Sequence, residues 1–252
     1  MNDSFDHPYA LLERGRFHIA ELGHALADYG RSDAVTFFEE EVGDAHFMRL
    51  KFESPLPDVI PCIVYDAVSC LRTTLDYIVY AATVELTRDA DIEFTKFPVG
   101  DDENGTKNQF KGWAKNVPAQ LREILLKVEP WEHGVGHIIW EFNKVRNKGI
   151  HRKLIPLASH VQDHQFIPGP ILVVGEMEPM QDWSDDRSTL TILRFHGWGE
   201  MRLGFRMGVA FDDPIYFSKA DVAQKLTDVA DAVERIAGDV KVKTAQILGN
   251  GP

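Results

Sequence analysis

Residues 144 to 153 read KVRNKGIHRK. They gather Lys144, Arg146, Lys148, Arg152 and Lys153 around His151, in a chain of formal net charge −12. These side chains have the chemistry that a phosphodiester requires. A guanidinium is a fixed fork of donors that matches phosphate oxygens. An imidazole titrates near pH 6.5 and can both take and give a proton near neutrality. Arg146-Asn147-x-x-x-His151 has the form Arg-Asn-x-x-x-His, with Gly149 inside it. A second reading uses the same residues. Gly149 stands where a helix C′ residue would sit, and Lys144, Arg146 and Lys148 would then favour the negative end of the helix dipole, for about 0.3–1 kcal/mol each. On an unbroken helix, residues five apart are turned by about 140°, so a bend at Gly149 decides whether Arg146 and His151 face one substrate.

Other groupings carry less. His133, His137 and Glu141 stand at i, i+4 and i+8, a spacing at which two histidines share a metal on a helix, but two glycines interrupt them and no fourth ligand is evident. The acidic runs 100–105 and 182–187 read as a solvated loop and a sheet turn, and the first lacks the spacing of a calcium loop. No Gly-x-x-x-x-Gly-Lys-Ser/Thr loop and no Gly-x-Ser-x-Gly elbow is present. Gly197, Gly199, Gly204 and Gly208 lie among strand residues and suit bulges and turns. The five tryptophans, Trp113, Trp131, Trp140, Trp183 and Trp198, are spread along the chain and default to core packing. No cofactor and no metal are expected.

The elements that must position the basic cluster are legible upstream. PYALLERGRFHIAELGHALADY, residues 8 to 29, predicts an amphipathic helix weakened by Gly15 and Gly23. Two runs of strand composition flank Gly43-Asp44 and predict a β-hairpin. Residues 60 to 87 are apolar over most of a helical circumference and predict a central buried helix. Its Ser69, Arg72 and Asp76 stand at i, i+3 and i+7 and share one face. Two short helices are expected in TKNQFKGWAKN and PAQLREILLKV, and a third resumes through Ile138, Ile139, Phe142 and Val145.

After His151 the pattern changes. LIPLASHV, ILVVGEM, TLTILRFHG and EMRLGFRMGVAF read as short strands of an antiparallel sheet. A closing helix starts near Ser218 and Asp221, carries Val222, Leu226, Val229, Val233 and Ile236 as its apolar stripe, and stops at Gly238. The expected class is α+β. Residues 1–153 form a helical core with a hairpin insertion, and 154–252 form an antiparallel sheet plus the C-terminal helix, packed with the core as one unit.

The −12 charge argues against a protein that coats nucleic acid through a broad cationic face. Cys62 and Cys70 lie on one helix, roughly 12 Å apart along its axis, too far for a disulfide. Unpaired thiols favour a reducing compartment. No signal peptide is visible in MNDSFDHPYA, and no apolar run reaches the roughly 20 residues of a membrane span. A cytoplasmic location is expected.

The Arg146-Asn147-x-x-x-His151 motif resembles that of the HEPN superfamily, small helical-bundle domains of which many are RNases. The resemblance implies a HEPN-like helical core and a metal-independent endoribonuclease, without a cofactor, in a defence or toxin–antitoxin setting. It implies His151 as general acid or base, Arg146 as the group that stabilises phosphate charge, and Asn147, Asp76 and Arg72 in support. Lys144, Lys148, Arg152 and Lys153 would bind RNA, and a homodimer would bring two motifs together. A second resemblance runs from about residue 60 to 157. LRTTLDYIVYAA, FPV, VEPW and NKGIHRKLIPL are similar, in that order, to an uncharacterised bacterial and phage-borne family. It implies that Arg72, Asp76, His151 and Arg152 belong together in space. The alternative to a nuclease is a non-catalytic dimeric binding or regulatory protein with a protein partner.

Overall fold

A computed structural model describes residues 4–151, 157–186, 188–212, 215–217 and 219–249. Side chains are described throughout these except at 149–151, 158, 160–174, 181 and 198–205. The class is α+β, with six helices among the described residues and a four-stranded antiparallel sheet. The chain divides into two compact units: residues 1–22, 61–158 and 210–252 form one, and 23–60 with 159–209 form the other.

The first unit is helical. α1 (Asp6–Arg31) begins there and buries Leu12 and Leu22, with Phe5 buried just before it. α2 (Val59–Thr87) is its centre. Leu71, Leu75, Ile78, Val79 and Ala82 are fully enclosed, as the near-continuous apolar sequence requires. Thr74 and Thr83 are buried on it, and each hydroxyl donates to the carbonyl four residues back, Cys70 and Val79. α3 (Glu103–Gln109) is capped by Asp102, whose carboxylate accepts from the Gly105 N–H at 2.6 Å. The acidic run read as a solvated loop is thus a helix start, because an Asp aimed at free N–H groups satisfies donors that the first turn leaves open. Positions 111–116 are turns rather than helix, so the helix expected over TKNQFKGWAKN ends at Gln109. α4 (Ala119–Lys127) opens after Pro118 and buries Leu121 and Leu125.

α5 (His137–His151) carries the basic cluster and does not stop before Gly149. The reading of Gly149 as a C′ residue is corrected: the helix continues through it to His151. α6 (Val222–Gly249) likewise passes Gly238, where no neighbour crowds the backbone and helical packing outweighs the propensity cost of glycine. Its N-cap is Asp221, which accepts from the Gln224 N–H at 2.8 Å. Ser218 lies outside the described residues. Val222, Leu226, Val229, Val233 and Ile236 are all buried, as the stripe predicts.

The second unit is built on the sheet, in the order β1-β2-β4-β3. β1 (Val35–Val42) and β2 (Ala45–Phe52) are the expected hairpin, with Gly43 at φ +69° in a two-residue loop. The hairpin is not separate from the C-terminal strands. β2 pairs with β4 (Thr189–Phe211), and Met48, Leu50, Leu190, Ile192, Leu193, Phe195 and Met207 with Tyr29 form one buried cluster. A register irregularity falls between Met48 and Arg49.

The four short runs expected after residue 153 are two long strands, β3 (Leu157–Trp183), of 27 residues, and β4, of 23. Prolines 168, 170 and 179 suggested interruptions. β3 is the sheet edge, where prolines are tolerated better than in a central strand. The 182–187 turn joins the strands, as the sequence suggests. Asp186 there accepts from the Ser184 and Ser188 hydroxyls and the Ser188 N–H. No helix among the described residues is long and apolar enough to cross a membrane. Cys62 and Cys70 both lie on α2 and are free thiols.

Candidate functional site

Tyr65, Ser69, Arg72 and Asp76 stand at i, i+4, i+7 and i+11 on α2, one polar stripe on an otherwise apolar helix. Asn143 and Arg146, three apart on α5, meet that stripe. Arg72 is 8% exposed and uses its whole fork. Nη1 donates to Asp76 Oδ1 at 2.6 Å, Nε to Asn143 Oδ1 at 3.1 Å, and Nη2 to the Phe97 carbonyl at 3.3 Å. The Phe97 N–H in turn donates to Asp76 Oδ1 at 2.9 Å. Phe97 and Pro98, the Phe-Pro pair that the sequence resemblance singled out, are thereby tied to the Leu-Arg-x-x-Leu-Asp helix. Sequence reasoning found Arg72 and Asp76 but missed Asn143 and the Phe97 backbone. A lone Asn and a main-chain carbonyl leave no pattern in a sequence.

Arg146 sits against this network without joining it. Its Nη1 donates to Asn147 Oδ1 at 3.2 Å, while its Nε is buried with no partner among the described residues. Burial and the neighbouring Arg72 charge pull its guanidinium below the ordinary pKa, against the attraction of Asp76 and Tyr65. Two guanidinium groups therefore share a single carboxylate, and Asp76 already serves Arg72 and Phe97. The cluster carries a surplus positive charge in a partly desolvated place. Arg49 and Arg194 share the orphaned Nε, so what sets Arg146 apart is its place beside Arg72 and Asp76, with Nη1 bonded to the exposed Asn147, where a guanidinium fork suits a phosphate oxygen.

The opposite face of α5 is engaged differently. Lys144 pairs with Asp101 and lies 5.4 Å from the Trp140 ring centroid. Trp140 Nε1–H donates to Asp101 at 3.0 Å, and these two bonds hold the Asp101 carboxyl below its ordinary range. Lys148 lies over the Tyr216 ring at 4.5 Å. Glu141 accepts from the Phe217 N–H at 2.5 Å. Lys144 thus closes an ion pair rather than standing as a free cation. Asn147 is exposed beside Arg146.

His151 is the last residue of α5, and its side chain lies outside the described residues. Arg152 and Lys153 lie outside them altogether. Because the helix is unbroken from Arg146, position 151 is turned by about 140° from it about the axis. The structure therefore brings Arg72, Asp76 and Arg146 together, with Asn143 added. It does not bring position 151 to the same side of the helix. His133 precedes α5, so the i, i+4 metal pairing with His137 is not realised on a helix. No cluster of three or more metal-ligating side chains occurs among the described residues.

Comparisons with protein-family models, with curated proteins and with solved structures find no match.

Proposed function

We propose that the helical unit recognises an RNA phosphodiester at Arg146 and cleaves it without a metal, in the manner of HEPN-type endoribonucleases. The observation that carries this reading is the partly buried Arg146 guanidinium beside the Arg72–Asp76 pair, drawn below its ordinary pKa by burial and by the Arg72 charge. Arg146 supplies the phosphate contact. Arg72, Asp76 and Asn143 position it, since Arg72 is enclosed and spends its donors within the protein. In the reaction the 2′-oxygen bonds to phosphorus and the bond to the 5′-oxygen breaks. The 2′-hydroxyl proton goes to a base, and the departing 5′-oxygen takes a proton. His151 is the group suited to these transfers. A homodimer resolves the 140° turn, because His151 of a second copy can face the phosphate held by Arg146.

The test is RNA cleavage in EDTA by wild type, Arg146→Ala and His151→Ala, with product ends analysed. Metal-independent cleavage leaving 2′,3′-cyclic phosphate, lost in both variants, is the expected result. A second reading, a non-catalytic dimeric binding or regulatory protein, is favoured by the unbroken helix through Gly149. Its mark is RNA affinity that depends on Arg146, without cleavage by the folded wild type.

A further inference from the structure

We infer that Phe94 and Trp113, with Lys96 and Lys115, form a stacking platform for a base of single-stranded RNA on the helical unit. The inference rests on the RNA reading above and names how the strand is held. Trp113 is 60% exposed, although the Lys96 ammonium lies 4.9 Å from its ring centroid and the Phe94 ring 6.0 Å away. The Lys115 ammonium lies 4.0 Å from the Phe94 centroid. A large indole left in water is a poor use of apolar surface unless a ligand covers it.

The backbone holds these rings in place. Lys96 N–H donates to the Trp113 carbonyl at 3.0 Å, and Asn116 N–H to the Phe94 carbonyl at 3.3 Å. The Asn116 side chain donates to the Glu93 carbonyl at 2.9 Å. Phe94 itself adopts φ 56°, a left-handed conformation that a bulky residue rarely takes. The fold thus fixes two chain segments against each other and presents an aromatic from each.

The charge favours an anionic strand. Between positions 104 and 122 the sequence has Lys107, Lys111, Lys115 and Arg122 and no acidic residue, in a chain of net charge −12. Among the described residues Lys96, Lys111 and Lys115 pair with no carboxylate, whereas Lys107 is spent on Glu103. Aromatic rings interleaved with ammonium groups that bond no carboxylate are what a single strand needs, since bases stack on the rings and phosphates meet the cations. The backbone N–H of Lys96 donates to the Trp113 carbonyl, and that of the next residue, Phe97, donates to Asp76.

The experiment is titration of the full-length chain with a fluorescein-labelled single-stranded RNA 12-mer, read by anisotropy, in EDTA at fixed salt. Trp113→Ala should weaken binding about 5- to 100-fold, while Trp113→Phe retains most of it. Lys96→Ala with Lys115→Ala should lower the salt dependence. Trp113 is exposed, so these variants should fold, which circular dichroism checks. Unchanged affinity in Trp113→Ala overturns the platform, as does absence of binding by wild type, or equal loss in Trp113→Phe. If Trp113→Ala is unaffected while Arg146→Ala abolishes binding or cleavage, the platform fails and the phosphate site stands. If Trp113→Ala weakens binding while Arg146→Ala leaves affinity and cleavage intact, the platform stands and the phosphate reading fails.

Discussion

Arg146 illustrates how a residue betrays a task other than stability. It is partly desolvated beside a like charge, and its Nε has no acceptor among the described residues. Replacing such a group by an apolar side chain of similar length relieves both penalties. Arg146→Met should therefore leave stability unchanged or raise it by about 1 kcal/mol, measured by urea denaturation, while RNA affinity falls. Asp76 behaves oppositely. It is the carboxylate that pairs with Arg72 among the described residues, and it also holds the Phe97 N–H. Asp76→Ala should cost about 2–3 kcal/mol, less than for a fully enclosed pair because the Asp76 side chain is 29% exposed. Stability lost in Arg146→Met and kept in Asp76→Ala would reverse the roles assigned to them.

Two glycines separate what an element tolerates from what it requires. Gly238 lies inside α6 with open space around it, so Gly238→Ala should stabilise the protein by about 0.5–1 kcal/mol, as a rise in the thermal midpoint. Gly136 immediately precedes α5, and a Cβ there would come within 2.2 Å of the Val128 carbonyl oxygen. Gly136→Ala must push this turn apart and should destabilise by about 1–3 kcal/mol, visible in the same melt. Because α5 carries Asn143 and Arg146, that displacement should also weaken RNA binding.

At the scale of the whole molecule, acid and salt are the informative variables. The Asp186 carboxyl is held down to about 2 by the Ser184 and Ser188 bonds, and Lys144 with Trp140 holds Asp101 below its ordinary value. A depressed carboxylate contributes stability that is fully present above the unfolded pKa of about 3.9 and is lost as pH falls through the folded value. For Asp186 that window runs from about pH 4 down to about 2. Asp186→Asn should flatten the fall in thermal midpoint over that interval and change nothing at pH 7 that depends on titration. The −12 net charge repels a polyanion everywhere but at local cationic sites. RNA binding through about three phosphates should then show a log K against log salt slope of about −2, far from that of a broad basic face.

The α+β class, the long apolar helix over 60–87, the Gly43-Asp44 hairpin and the stripe of the last helix were all legible in the chain. They rest on periodicity and turn chemistry, which are local. Arg72 and Asp76 were legible as a pair for the same reason, four residues apart on one helix face. What remained hidden depends on residues distant in sequence. Asn143 completes the Arg72 fork from another helix, and β2 joins β4 across the chain. Gly149 and Gly238 read as helix ends, yet both helices run past them; beyond Gly238 the buried Val240 and Thr244 outweigh the small local propensity cost of glycine. Trp113 shows the same limit from the other side. Its type predicts a core position, and its flanking Lys111 and Lys115 were the available hint of solvent. Exposure is set by which surfaces meet, and that is a property of the folded chain.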